Sequence, residues 1–119
     1  MLRGYTRVLL CGGVPVKMSF NEVTNHLERM PGWSHEPEPA RACIKKTFLF
    51  SDFQNAWGFM ESCTGHINHA DHHPEWFNVY NRVEVTLATH DCGGVSEKDL
   101  TLARHMDSVA EGFTREIKQ

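Results

Sequence analysis

The chain lacks the features that mark nucleic-acid-binding and membrane proteins. Among its 119 residues, Asp and Glu outnumber Lys and Arg by 15 to 12, which gives a net charge of −3 without an extended basic run. We therefore expect no direct contact with DNA or RNA, because the basic surface that attracts a phosphate backbone is missing. No apolar stretch approaches the roughly 20 residues that span a bilayer, so no membrane segment is predicted.

Cysteine is sparse and scattered. The four cysteines show no CxxC spacing, and they are Cys11, Cys43, Cys63 and Cys92. Zinc-finger and redox motifs are therefore not indicated, and we predict reduced thiols in a cytoplasmic protein. A nuclear location in addition, or organellar targeting by the N-terminus, stays open.

The length is that of one domain. Residues 1–17 carry Arg3 and Arg7 around a short apolar run and differ from the rest of the chain. We interpret them as an N-terminal extension, either disordered or added as a tail strand, and residues 18–119 as a single domain. A chain of this size is close to the limit at which association adds stability.

Capping signals and hydrophobic spacing predict three helices. The capping-box pairs are Ser19 with Glu22, Ser51 with Gln54, and Ser96 with Asp99. In the second helix we expect a buried stripe of Phe53, Trp57, Met60 and Ile67. In the last helix the expected stripe is Leu102, Met106, Val109 and Phe113.

Alternating residues predict the strands. Residues 41–50 alternate as one strand, and residues 76–90 form two more that pair through a turn at Asn81. Residues 35–39 are predicted to form a loop. Pro74 disfavours helical backbone at His73, so the second helix must end before the hairpin begins. The pattern predicts an α+β domain in which helices cover one face of an antiparallel sheet.

Histidine, in contrast to cysteine, is concentrated in one segment. Five of the eight histidines lie in residues 66–90, and imidazole can exchange protons near neutral pH. Such a cluster indicates either proton transfer or metal binding. If the hairpin strands pair antiparallel, their outer ends meet, so His72, His73 and His90 should converge. A zinc site is the weaker alternative, because HExxH spacing is absent.

The segment HHPEWFNVYN, residues 72–81, followed by Thr89-His90 and Asp99, resembles the pterin-4a-carbinolamine dehydratase family. The resemblance implies a two-layer α+β fold, with a four-stranded antiparallel sheet and about three helices on one face. It also implies homodimers or homotetramers. One departure precedes His72: the family commonly has an acidic residue and a lysine where Asn68 and His69 stand.

The resemblance implies an activity as well, the dehydration of 4a-hydroxytetrahydropterin to the quinonoid dihydropterin in tetrahydrobiopterin recycling, without metal or cofactor. Our hypothesis is that His72 and His90 share the acid and base roles while His73 holds the substrate. The expected substrate-binding or orienting residues are Asp99, Trp76 and Pro74. Each also has a structural explanation, such as helix capping by Asp99.

The remaining histidines are expected at solvated surface positions, with His69 peripheral to the site. These surface histidines are His26, His35, His66 and His105. An alternative to an enzyme is a binding module, since some members of the resembled family act as dimerisation partners or coactivators of a transcription factor. Such contacts would use a helix surface, which we expect on the last helix.

Overall fold

An antiparallel sheet forms one layer of the molecule. The computed structural model describes residues 14–36 and 41–115, so residues 1–13 of the predicted extension lie outside the described residues. The four described strands are β1 (Ser34–Glu36), β2 (Cys43–Leu49), β3 (Glu75–Val79) and β4 (Arg82–Leu87). Their spatial order is β1-β2-β4-β3, and each neighbouring pair is antiparallel. This confirms the predicted sheet.

Three α-helices form the second layer, as predicted. They are α1 (Phe20–Leu27), α2 (Phe53–Ala70) and α3 (Glu97–Ala110), and a 3-10 turn covers His90–Cys92. The capping boxes of α1 and α3 form at Ser19 and Ser96. These two boxes fix where α1 and α3 begin, because each satisfies backbone N–H groups that no helical partner can reach.

The predicted cap of α2 is wrong by one residue. Asp52, not Ser51, is the N-cap, and its carboxylate accepts from the backbone N of Asn55 at 2.9 Å. The hydroxyl of Ser51 instead accepts from Asn55 Nδ2 at 3.1 Å. Asp is as good an N-cap as Ser, so spacing alone did not select between the two neighbours.

The buried stripe of α2 also differs from the prediction. The buried side chains are Ala56, Phe59, Cys63 and Ile67. Phe53 and Trp57 were expected inside but are 44% and 49% exposed. Both stripes have helical spacing, so periodicity could not choose between them. The choice follows from packing: the Phe59 ring fits against Phe48 of β2, with centroids 4.7 Å apart.

α3 also contributes to the core. Its buried apolar residues are Leu100, Leu102, Ala103, Met106 and Ala110. Phe113, predicted as part of the helical stripe, lies beyond the last helical residue. Its ring packs against Gly58 of α2, where an added Cβ would meet Phe113 Cε1 at 2.5 Å. The chain after α3 therefore depends on a glycine in α2.

Two further predictions need correction. The loop predicted for residues 35–39 is wrong at its start, because His35 and Glu36 belong to β1; residues 37–40 lie outside the described residues. The four histidines expected at solvated positions are all half-buried. His66 and His105, for example, stack with ring centroids 4.1 Å apart. Among the described helices, none is both long and apolar enough to cross a membrane.

Candidate active site

The corner between α2 and β3 places two of the candidate histidines. Asp71 ends α2 in the left-handed conformation, at φ 51°, which Asp tolerates better than most residues. The backbone N of His72 then donates to the carbonyl of Ile67 at 3.3 Å and closes the last turn. Pro74 disfavours helical backbone at the preceding residue, His73. His72 and His73 therefore leave the helix at a defined corner.

Asp99 is the most buried polar side chain at this corner. It is 0% exposed, and its Oδ1 accepts from His72 Nε2 at 2.7 Å. Its Oδ2 accepts from Thr89 Oγ1 at 2.7 Å and from the backbone N of Ser96 at 2.9 Å. A carboxylate only accepts hydrogen bonds, so with Asp99 ionised the donor of this contact is Nε2 of His72. One carboxylate thus caps α3 and orients an imidazole.

Thr89 extends this network, although the sequence supported it only as part of the family resemblance and gave it no role. Because its hydroxyl donates to Asp99, the 2.6 Å contact with Ser96 Oγ must be donated by Ser96. The backbone N of Thr89 also donates to Gly94 O at 2.7 Å and holds the loop after β4. The available signal was alternation: Thr89 points to the same side as buried Leu87.

A cavity of about 540 Å³ lies at the end of the sheet, and we call it the sheet-side cavity. Its lining residues are Arg41, Ala42, His73, Glu75, Ala88, Thr89, His90, Gly93 and Gly94. The cavity brings His73 and His90 together, although they are far apart in the sequence. Its volume falls in the range of small-molecule sites.

His72 borders a different cavity of about 310 Å³, the helix-side cavity, between the end of α2 and the start of α3. The lining residues are His66, Ala70, His72, Glu97, Lys98, Thr101 and Leu102. The three imidazoles therefore do not all line one cavity. Thr89 lines the sheet-side cavity and bonds to Asp99, which bonds to His72, so a hydrogen-bonded path joins the two.

The rim of the sheet-side cavity carries an ion pair that the sequence analysis missed. Arg41 Nη1 donates to Glu75 Oε1 at 2.8 Å, and Nη2 donates to Oε2. The guanidinium lowers the pKa of Glu75. Both side chains stay more than half exposed, at 55% and 60%. No spacing rule links two residues 34 positions apart.

The other predicted site residues lie outside both cavities. Trp76 is half-buried and packs against the hydrophobic core. Pro74 is half-buried at the corner, and His69 is exposed. Among residues 14–36 and 41–115, no three His, Cys, Asp or Glu side chains are grouped so as to hold a metal ion.

Residues 16–109 match the family model described as pterin 4 alpha carbinolamine dehydratase. The chain belongs to this family. The match includes both cavities and the Asp99 network. It therefore confirms the resemblance carried by the segment HHPEWFNVYN.

Curated relatives agree with the family assignment. A protein of Burkholderia multivorans, provisionally named pterin-4-alpha-carbinolamine dehydratase, is 47% identical over 94 residues, covering 79% of this chain and 90% of the relative. A similarly named protein of Novosphingobium aromaticivorans is 51% identical over 82 residues, covering 69% of this chain and 83% of the relative. The family is thus supported by close relatives along most of their own length.

Two solved structures share the fold. The transcriptional coactivator/pterin dehydratase of Brucella melitensis aligns with a TM-score of 0.75 at 42% identity, covering 79% of this chain and 98% of the other. A pterin dehydratase-like protein, described as a RuBisCO assembly factor in the alpha-carboxysome, aligns with a TM-score of 0.57 at 20% identity, covering 66% and 89%. The second likeness shows the fold alone.

Proposed function

We propose that this protein is a hydro-lyase that dehydrates 4a-hydroxytetrahydropterin to the quinonoid dihydropterin, in tetrahydrobiopterin recycling. The observation that carries the proposal is the pairing of His73 and His90 in one cavity, beside a third imidazole held by a buried carboxylate. The names of the relatives support the same substrate class. The free thiols of Cys43, Cys63 and Cys92 suit the cytoplasmic location that we propose.

The reaction needs two proton transfers. The bond between the 4a carbon and its hydroxyl oxygen breaks, and that oxygen takes up a proton to leave as water. The ring nitrogen beside the carbon loses its proton, and the electron pair forms the new carbon–nitrogen double bond. An imidazolium supplies the first proton and a neutral imidazole accepts the second, both near neutral pH.

His90 is the imidazole that we place at one edge of the substrate, because it lines the sheet-side cavity. The partner role belongs to His72 or to His73. His72 has its Nε2 fixed on Asp99 and its Nδ1 available, which suits a proton-transfer residue. His73 shares the cavity with His90, which suits substrate binding. We propose His72 and His90 for acid and base, and His73 for positioning.

Turnover of freshly generated 4a-hydroxytetrahydropterin, followed by ultraviolet absorbance, tests the proposal. Replacing His72 or His90 with Ala should lower turnover by roughly 10²–10⁴. His73→Ala should mainly raise KM. His69→Ala is the matched control, since it removes an exposed imidazole from the same segment and should leave the rate unchanged.

Three results would change the proposal. A fully active double variant lacking His72 and His90 would remove both residues from the mechanism. A large loss of kcat in His73→Ala with little loss in His72→Ala would exchange the roles of these two neighbours. No acceleration by the intact protein would remove the enzymatic function itself.

Protein association is a second function that one observation favours. Phe53 and Trp57 stack on the outer side of α2 with ring centroids 6.4 Å apart, and both are strongly exposed. Exposed aromatic pairs of this kind are enriched at protein interfaces. We therefore propose α2, rather than α3, as the surface for a dimer, a tetramer or a protein partner. Light scattering of Trp57→Ser should show a smaller particle than the parent, with unchanged turnover per chain.

A further inference from the structure

Glu75 occupies a position that the proposed proton transfers do not use. It is the first residue of β3, two residues after His73, and pairs with Thr86 of β4. Its carboxylate lies at the rim of the cavity that also holds His73 and His90. A charged side chain at this rim can contact whatever enters the cavity.

The contact with Arg41 shows what this carboxylate can bind. Both oxygens of Glu75 accept from the guanidinium, one N–H donor to each oxygen. Two neighbouring N–H donors in one plane are the partner that a carboxylate binds in this way. Elsewhere in the described chain the ion pairs make single contacts, as between Arg82 Nε and Glu84 Oε2 at 3.1 Å.

A pterin presents the same donor arrangement. Its ring carries an amino group at position 2 and an N–H at position 3, side by side in the ring plane, so this edge resembles half of a guanidinium. We propose that Glu75 binds the 2-amino edge of the pterin ring, and that Arg41 occupies this receptor when no substrate is bound. The inference rests on the proposed function, because it names the group by which the same cavity selects its substrate.

Replacing Arg41 by substrate at the Glu75 carboxylate should cost little free energy. Both side chains are more than half exposed, so water and salt screen their attraction. Arg41 lowers the pKa of Glu75 while the two are paired, and an unpaired glutamate is also ionised and acceptor-only around neutral pH. The released guanidinium stays hydrated at the rim. The ring, anchored by its 2-amino edge, then extends into the cavity toward His90.

Binding measurements with two stable ligands test the inference. Pterin carries the 2-amino group, whereas lumazine has an oxygen there and presents an acceptor to the carboxylate. The intact protein should bind pterin at least about tenfold more tightly than lumazine, because lumazine offers the Glu75 carboxylate no 2-amino donor. Glu75→Gln should remove most of this preference, since an amide can pair with either ring. The measurement is the Kd from ligand fluorescence.

Two other variants separate a receptor from a structural ion pair. Arg41→Gln removes the competing donor, so pterin affinity should be equal or tighter; a merely structural pair would make Arg41→Gln and Glu75→Gln behave alike. Glu84→Gln is the matched control on the neighbouring strand and should keep the preference. In turnover assays Glu75→Gln should raise KM with kcat nearly unchanged.

Each outcome decides the inference. A preference that survives in Glu75→Gln, or an intact protein that does not distinguish the two ligands, overturns it. Loss of the preference for pterin in Glu75→Gln, with the preference kept in Arg41→Gln and Glu84→Gln, supports it. If the intact protein selects pterin through Glu75 but does not accelerate dehydration, the receptor stands and the proposed function falls, so the two failures are distinguishable.

Discussion

The two cavities beside Asp99 differ in how their polar groups are held. On the helix side, His72 is bonded to a fully buried carboxylate that has two further donors. On the sheet side, Arg41 and Glu75 form a solvent-exposed ion pair, with more than half of each side chain exposed. Buried groups with all their partners keep one geometry, whereas exposed pairs exchange partners at little cost. In our proposals, the first arrangement positions a catalyst and the second receives a ligand.

Removing the buried charge should have the largest effect. Asp99→Asn keeps the shape but places an amide where His72, Thr89 and the Ser96 backbone all donate. We expect turnover to fall to about the level of His72→Ala and unfolding free energy to fall by about 1–3 kcal/mol. Steady-state kinetics and urea denaturation measure the two effects.

The matched control is Asp107→Asn. Asp107 is partly buried, unlike the fully buried Asp99, and accepts from Trp33 Nε1 at 2.9 Å and from Lys46 Nζ at 2.7 Å, outside both cavities. It should lose stability but keep turnover. Equal turnover in the two variants would contradict a positioning role for Asp99.

Removing the hydroxyl of Thr89 should have the second-largest effect. Thr89→Val preserves shape but removes a donor to Asp99 and an acceptor for Ser96, so unfolding free energy should fall by about 1–3 kcal/mol. Turnover should fall less than in Asp99→Asn, because the carboxylate still holds His72. Thr89→Ser keeps the hydroxyl and should restore the rate and the pH profile. If Thr89→Ser were as impaired as Thr89→Val, the loss would come from changed packing and not from the missing hydroxyl.

The stacked histidines of the helix side predict a smaller, pH-dependent effect. Burial and the neighbouring His66 lower the pKa of His105 from 6.5. The unfolded chain therefore binds this proton more tightly, so the stabilisation is present above pH 6.5 and is lost as the pH falls through the folded pKa. His105→Phe keeps a ring on His66 and should reduce acid destabilisation in melts between pH 7 and pH 5. An unchanged pH dependence would contradict the assignment.

Breaking the exposed pair should change stability least. Arg41→Gln should shift the unfolding free energy by no more than about 1 kcal/mol, and added salt should reduce even that difference. Urea titrations at low and high ionic strength measure it. A larger loss would mean that the pair holds the residues before β2 to β3, and the contrast between the two cavities would then disappear.

Several elements were predictable because their causes are local. The capping boxes at Ser19 and Ser96 formed as predicted. The hairpin turn at Asn81 and the end of α2 before Pro74 follow from backbone sterics within a few residues. The local signals failed where two neighbours satisfied the same rule: Asp52 replaced Ser51 as the cap, and Phe59 replaced Trp57 in the core.

The sequence by itself determined the family, the order of the helices and of β2, β3 and β4, and the corner that carries His72 and His73. Only the tertiary structure decided that His73 and His90 share a cavity while His72 turns to Asp99. It also decided that Arg41 meets Glu75, and which stripe of α2 is buried. The physical reason is distance along the chain: these contacts join residues on separate elements, and their geometry exists only after the helices have packed on the sheet.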